Sequence, residues 1–348
     1  MRIGLLAPTS ASVPPAGYGP IEYMIDVLAR GLSEKGHDVI LWASRDSQCP
    51  VELRGIVPQA KRNRTAGRQK SSRAVDLSHV EYAYRSSDDL DILHDHTLLG
   101  PPIGARHTGC PVAVTWHAPF GHAADFDEVY TQAAGLPAVF LSAAHAQTFP
   151  FHGDHRIIGN PVDFENFPAG NGDGDYFIFF GRMSPTKGVH LAISAAKSAG
   201  VRLLIAGPCT SPDERKYFES AVAPELDSRR EYLGAVYGHE KARLLGGARA
   251  LLAPIQWDEA FGIAVAESLA CGTPVLGTSR GSLPELVLAG ETGALCDDEE
   301  ALVVAMHEVG KLSRAACRRY ALDHFSPERF VSAYVEFFES ILHSRSHR

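Results

Sequence analysis

Two carboxylates, Glu259 and Glu267, bracket the segment Glu259-Ala-Phe-Gly-Ile-Ala-Val-Ala-Glu267. That spacing is about two helical turns, yet Phe261-Gly262 reads as the start of a helix, which puts Glu267 inside it and leaves Glu259 on the loop ahead. Such a start presents free backbone N–H groups at Gly262 and Ile263, which attract a phosphate or a sugar oxygen. A carboxylate one turn inside can accept hydrogen bonds from a ribose diol. Two Glu around an amphipathic helix also serve as plain exposed charges or as partners of the helix dipole. Upstream, Arg182 and Lys187 lie in Gly181-Arg-Met-Ser-Pro-Thr-Lys-Gly188, directly after an apolar run. Arg by forked hydrogen bonds and Lys as a point charge can neutralise a diphosphate and stabilise it as a leaving group. The competing use of both cations is a surface ion pair with neighbouring carboxylates.

The N-terminal loop Val13-Pro-Pro-Ala-Gly17-Tyr18-Gly19-Pro-Ile-Glu22 offers a second phosphate or sugar contact, because Gly19 lets backbone amides come close. It is not a full G-x-G-x-x-G, since Glu22 fills the third glycine position, so a nicotinamide cofactor is disfavoured. A plain strand-to-helix turn is the alternative. His94-Asp95-His96 and Thr115-Trp116-His117 each end an apolar run. Asp95 faces away from its two neighbours in a strand, which leaves only three imidazoles for a metal, and no metal site is expected. For His94 and His96 a satisfied core or rim histidine is the expectation.

The elements that must hold these residues alternate strand and helix. Ile3 to Ala7, Val39 to Ala43, Ile92 to His94, Val112 to His117 and Ala138 to Ser142 read as strands, and Ile21 to Leu32 as a helix ended by Gly36. Asn160 to Asp175, rich in Gly and Asp, reads as a linker. Beyond it the alternation resumes, with strands at Tyr176 to Phe180, Val201 to Ala206 and Ala250 to Pro254 and a helix at Leu191 to Ala199. This predicts an α/β protein of two doubly wound, Rossmann-like domains facing each other across a cleft, and puts Arg182 and Lys187 at the strand ends where open sheets bind ligands. The domains are expected at 1–168 and 169–324. The apolar helix from Pro327 to Leu342, part of a C-terminal element at about 325–345, must pack on something, and either domain would serve, a return to the first being one of the two options.

At 348 residues the chain is long enough for two cores, and its 45% apolar and 21% charged residues are those of a globular protein. A formal charge of -8 argues against a nucleic-acid partner. Lys61, Arg62, Arg64, Arg68, Lys70 and Arg73 form the local exception, read as a solvated loop or as an acceptor or anionic-surface contact, which leaves peripheral membrane contact open. Six widely spaced cysteines without a C-x-x-C pair read as buried small hydrophobes in a reducing compartment. With neither a signal-peptide core nor a run of roughly 18 apolar residues, a soluble cytoplasmic protein is expected.

Glu259 to Glu267 resembles the E-x7-E motif of the retaining family-four glycosyltransferases of GT-B fold. Gly181 to Gly188 and Ala206-Gly207-Pro208 stand in that family's order, and Pro14 to Gly19 resembles the Pro-Pro-x-Gly-Tyr-Gly variant of its N-terminal loop, so the resemblance covers nearly the whole chain. It implies transfer of a sugar from a nucleotide diphosphate donor, with retention of anomeric configuration and no required metal or other cofactor. By resemblance Arg182 and Lys187 contact the donor diphosphate and His117 stands near the reacting face of the sugar. Glu259 would orient the sugar, Glu267 hold the ribose, Phe261, Gly262 and Ile263 line the donor site, and Gly19 contact the donor from the first domain, the site being assembled by domain closure. Glu240 and Glu285 match the family pattern but are equally explained by helix faces and starts. The resemblance suggests front-face attack by the acceptor assisted by the leaving diphosphate.

A UDP-sugar is favoured by frequency alone, and the acceptor is open among a small molecule, a glycan and a lipid carrier. A nucleotide-sugar epimerase of related fold would bind the same donor without an acceptor. A non-catalytic nucleotide-sugar-binding protein would keep Arg182, Lys187 and Glu267 without turnover.

Overall fold

A computed structural model describes residues 1–61, 73–121, 124–150 and 153–346. They form two compact units, Met1–Pro161 together with Pro327–Arg348, and Val162–Ser326. The chain changes unit at Pro161, earlier than the boundary near 168 read from composition.

The first unit is built on seven strands: β1 (Arg2–Leu6), β2 (Asp38–Trp42), β3 (Glu52–Arg54), β4 (Ile92–Asp95), β5 (Val112–Thr115), β6 (Ala138–Phe140) and β7 (His155–Ile157). Their order is β3-β2-β1-β4-β5-β6-β7, every pairing parallel. The second holds β8 (Tyr176–Phe180), β9 (Arg202–Ala206), β10 (Arg230–Tyr232), β11 (Leu251–Ala253), β12 (Val275–Gly277) and β13 (Gly293–Leu295) in the order β10-β9-β8-β11-β12-β13, again all parallel. Both sheets reverse their winding beside their first strand, between β1 and β4 and between β8 and β11, and ligands of open α/β sheets sit outside the carboxyl ends of strands at such a reversal. The strands read correctly from sequence are the apolar ones buried on both faces, such as Ile3 to Leu6 and Phe177 to Phe179. Edge strands β3, β7 and β10 escape that reading because they carry charge and are partly or wholly exposed, and β12 and β13, of three residues each, escape it because they are too short to show a run.

The helix at Pro327–Ser346 belongs to the first unit. Phe330, Val331, Tyr334, Phe337, Phe338 and Ile341 pack with Ile3, Leu5, Met24, Leu28 and Leu41 in one buried cluster. The segment read as a linker is instead fastened to the second unit over much of its length. The amides of Gly170, Gly172 and Gly174 donate to the carbonyls of Cys271, Gly246 and Gly247. The Arg314 guanidinium reaches the carbonyls of Gly246 (2.7 Å), Ala248 (3.0 Å) and Gly170 (3.3 Å) and the Thr273 hydroxyl (2.8 Å). Composition reads a Gly- and Asp-rich stretch as loose because it shows the chain's lack of side chains, not the backbone partners that the fold supplies.

Among the described residues no helix is long and apolar enough to cross a membrane. Five cysteines are buried, Cys209 is half-buried, and none of the six is in a disulfide. Of the basic segment only Lys61 and Arg73 are described; Arg62, Arg64, Arg68 and Lys70 lie outside the described residues. Lys61 pairs with Asp76 at 2.6 Å, and Asp76 also accepts from the Thr9 hydroxyl.

Candidate functional site

Within the second unit the residues singled out by type and spacing gather around the β8–β11 reversal. Gly181 and Arg182 follow β8, a short 3-10 turn at Pro185–Lys187 carries Lys187, and Glu259 stands on the loop that leaves β11. Gly188 makes the turn fit. It has φ of 74°, and a Cβ there would lie 1.9 Å from the Pro254 carbonyl oxygen, so only glycine lets the Lys187 turn rest on the chain leaving β11. Gln256 N–H then donates to the Thr186 carbonyl at 2.8 Å, joining the two loops.

Glu259 is nearly buried and its Oε2 takes two donors, the Lys187 ammonium and the Trp257 indole N–H at 3.0 Å. Lys187 Nζ also lies 5.2 Å from the Trp257 ring centroid. Gly262, with φ of 85°, turns the chain into the helix Ile263–Ala270, whose N-terminus has no side-chain cap. Its first turn therefore keeps donors for an incoming acceptor atom. Glu267 lies inside that helix, as read from sequence, and pairs with Lys241 of the Gly238–Gly247 helix. Lys241 Nζ sits 5.4 Å from the ring centroid of Phe180, the last residue of β8, which ties the Glu267 side back to the strand that Arg182 follows. Phe261 is buried against Phe325 (ring centroids 5.8 Å), and its carbonyl accepts the Ser282 hydroxyl at 2.7 Å, so it serves the helix start as packing.

Arg182 reaches Glu214 at 3.4 Å. Glu214 caps its own helix: Ser211 Oγ accepts from Glu214 N–H at 3.1 Å, and Glu214 Oε2 accepts from the Ser211 and Thr210 amides at 3.0 and 2.7 Å. Burial opposes its ionisation, but those amides, the Thr210 hydroxyl and Arg182 outweigh it and hold the carboxyl below the usual range. Arg182 and Lys187 thus each carry a carboxylate partner. The Ser-Pro-Asp-Glu capping box was visible in the sequence; that it faces Arg182, and that Lys241 and Trp257 serve the two glutamates, was not.

In the first unit Gly19 ends the loop after β1 and precedes the helix Pro20–Glu34. Its φ of -173° is extended backbone, and the need for glycine is steric: a Cβ would come 2.6 Å from Pro15 Cβ. Glu22, in the third glycine position, is buried and accepts the Ala11 N–H at 3.0 Å, which shapes this loop. His94 and His96 flank the end of β4 and His117 lies just beyond β5. His94 Nε2 contacts the Thr115 hydroxyl at 2.9 Å, and that hydroxyl contacts the Tyr334 OH at 3.0 Å. His96 Nδ1 contacts His117 Nε2 at 3.3 Å. Burial drives all three imidazoles towards the neutral form, His94 and His117 down to about 3 and His96 well below its ordinary value. Asp95 turns the other way, accepting the Tyr84 hydroxyl and the Thr97 amide at 2.7 Å each. Among the described residues no group of three or more His, Cys, Asp or Glu could hold a metal ion.

Residues 21–165 match the family described as Glycosyltransferase Family 4, and residues 163–322 the family described as Glycosyl transferases group 1. A phosphatidyl-myo-inositol mannosyltransferase of Mycolicibacterium smegmatis is 26% identical over 337 residues, 88% of this chain and 84% of that protein. A D-inositol 3-phosphate glycosyltransferase of Mycobacterium tuberculosis is 35% identical over 174 residues, 47% of this chain and about a third (32%) of that protein. Among solved structures, AviGT4, a glycosyltransferase involved in avilamycin A biosynthesis, aligns with a TM-score of 0.72 and 25% identity over 99% of both chains. The Anabaena HepE protein in complex with UDP and glucose aligns with a TM-score of 0.77 and 17% identity over 98% of this chain and 100% of that one. The two family matches overlap at 163–165 and between them span residues 21–322, and the chain accordingly belongs to the group 1, family-four glycosyltransferases of GT-B fold, enzymes that draw on a nucleotide-sugar donor.

Proposed function

We propose that the enzyme takes a sugar from a UDP-sugar, held by the second unit, and transfers it with retention of configuration to an acceptor bound by loops of the first. The observation that carries this reading is the gathering of Arg182, Lys187, Glu259, Glu267 and the uncapped start of the Ile263–Ala270 helix around one strand-order reversal. Arg182 and Lys187, with the Gly262 and Ile263 amides, stabilise the departing diphosphate. Glu267 accepts the ribose hydroxyls, and Glu259 orients the donor sugar. His117, neutral at working pH, offers a hydrogen bond to a sugar hydroxyl without adding charge near the anomeric carbon. Retention follows from front-face attack by the acceptor; a trapped glycosyl-enzyme adduct would replace that step with a covalent one. The choice of UDP is supported by the UDP and UDP-glucose complexes of the HepE protein. The inositol-type acceptors named for the mycobacterial relatives are the first to screen. Cysteines outside disulfides suit a cytoplasmic reaction, and contact with a lipid acceptor would be peripheral.

Calorimetric titration of UDP, GDP and ADP into the wild type, Lys187→Ala and Glu267→Ala, without added metal, tests the donor site. One nucleotide should bind, and each substitution should weaken it by about tenfold or more, the scale of a lost charge-assisted contact. Folded variants that bind all three nucleotides as the wild type does would remove the physical support for this site.

A further inference from the structure

A diphosphate that Lys187 serves draws on the same ammonium that now pairs with Glu259. Among the described residues the ammonium is the one cation on Glu259 Oε2, and the pair is largely enclosed, with side-chain exposures of 19% and 10%. A phosphate oxygen that claims Lys187 therefore takes away a partner that a nearly buried carboxylate can ill lose. The same oxygen already holds a second donor, the Trp257 indole N–H. Trp257 is anchored by its neighbours in the chain: Gln256 N–H donates to Thr186, and the Thr278 hydroxyl to the Ile255 carbonyl at 2.6 Å.

We propose that Lys187 and Glu259 form a latch that a nucleoside diphosphate opens, and that Trp257 is the positioning residue that keeps Glu259 in place, through its indole N–H, once Lys187 has left it. The inference rests on the donor reading of this site and adds a sign to it. Glu259 and the diphosphate compete for one ammonium, so the carboxylate opposes binding of a nucleotide that carries no sugar. Trp257 lowers that opposition by satisfying Glu259 when Lys187 moves. Its contact with Glu259 costs nothing on binding, since the diphosphate has no claim on the indole.

The test is calorimetric titration of UDP into the wild type, Glu259→Gln, Trp257→Phe and the double variant, with thermal melts to establish folding. Glu259→Gln, nearly isosteric but uncharged, should bind UDP about threefold to tenfold more tightly than the wild type. Trp257→Phe keeps a ring beside Lys187 and loses the N–H, so Glu259 depends on the lysine alone and UDP should bind about threefold to tenfold more weakly. In the Glu259→Gln background the Trp257→Phe change should have less than a twofold effect, a cancellation that loss of packing would not produce. UDP affinity that is unchanged or lower in Glu259→Gln overturns the latch, as does an equal loss from Trp257→Phe in both backgrounds. If Trp257→Phe does not fold, the sign of the Glu259→Gln effect decides alone. A wild type that binds none of UDP, GDP and ADP overturns the donor reading itself, and the latch with it.

Discussion

Charge at this site is arranged in pairs, and Arg182, Glu259 and Glu267 each borrow position from a residue outside the recognised pattern, while Lys187 borrows it from Glu259 within it. Arg182 leans on Glu214, Lys187 on Glu259, Glu259 on Trp257 and Glu267 on Lys241. Such pairing is what lets ionised groups sit partly buried before a ligand arrives. His94, His96 and His117 in the first unit follow the opposite course and are held uncharged by burial. For His94, fully enclosed, the folded pKa of about 3 lies below the ordinary 6.5, so the unfolded chain binds the extra proton and stability rises with pH between those two values. His96 acts in the same sense, and Asp95, raised to about 6 by burial, in the reverse sense between its ordinary 3.8 and 6. Denaturant unfolding should therefore show falling stability as pH drops from 6.5 to 5. In His94→Gln, which keeps a side-chain amide for Thr115, the fall should be shallower by about 2 kcal/mol, the linkage expected of one buried neutral imidazole over that range. An identical slope in the variant would mean that His94 accepts a proton in the folded state.

At the scale of elements, the decisive features are loops that touch. The β8 and β11 exits meet because Gly188 adopts a left-handed conformation against the Pro254 carbonyl. Gly188→Ala should cost more than about 2 kcal/mol in denaturant unfolding, from the left-handed backbone and the forced separation of the two loops. It should also weaken UDP binding, because Lys187 is the residue just before it. Full stability and full UDP affinity in this variant would show that the Lys187 turn does not depend on that contact. Sequence signals at this scale were uneven. The Phe261-Gly262 helix start was legible because a glycine before an apolar run marks it. The clasp of Arg314 on the Gly170 to Gly174 stretch was not, because its partners are carbonyl oxygens, which every residue carries.

For the whole molecule, the first unit is completed by the end of the chain. Phe337 and Phe338 are fully buried among residues from the first strand and first helix. Phe337→Ala should destabilise the protein by about 3–5 kcal/mol, the range for a truncated buried aromatic, while Glu336→Ala, one position earlier and exposed, should stay within about 0.5 kcal/mol. Equal effects of the two substitutions in equilibrium unfolding would show that this helix does not complete the core.

By itself the sequence determined the class of the fold and the principal chemistry. Continuous apolar runs alternating with helical periodicity admit little but a parallel α/β sheet, and an E-x7-E segment after a Gly-Arg and a Lys-Gly turn takes its meaning from its resemblance to the family's motif. Strand order, the return of the last helix and the partners of each charged group were decided only in three dimensions. Glu214 and Lys241 are joined to the site through space from separate helices, and Trp257 from two residues before Glu259 on the same loop, and contacts of these kinds leave no periodicity along the chain. The polar edge strands were hidden for a related reason: their pairing lies in backbone hydrogen bonds, to which side-chain pattern is blind.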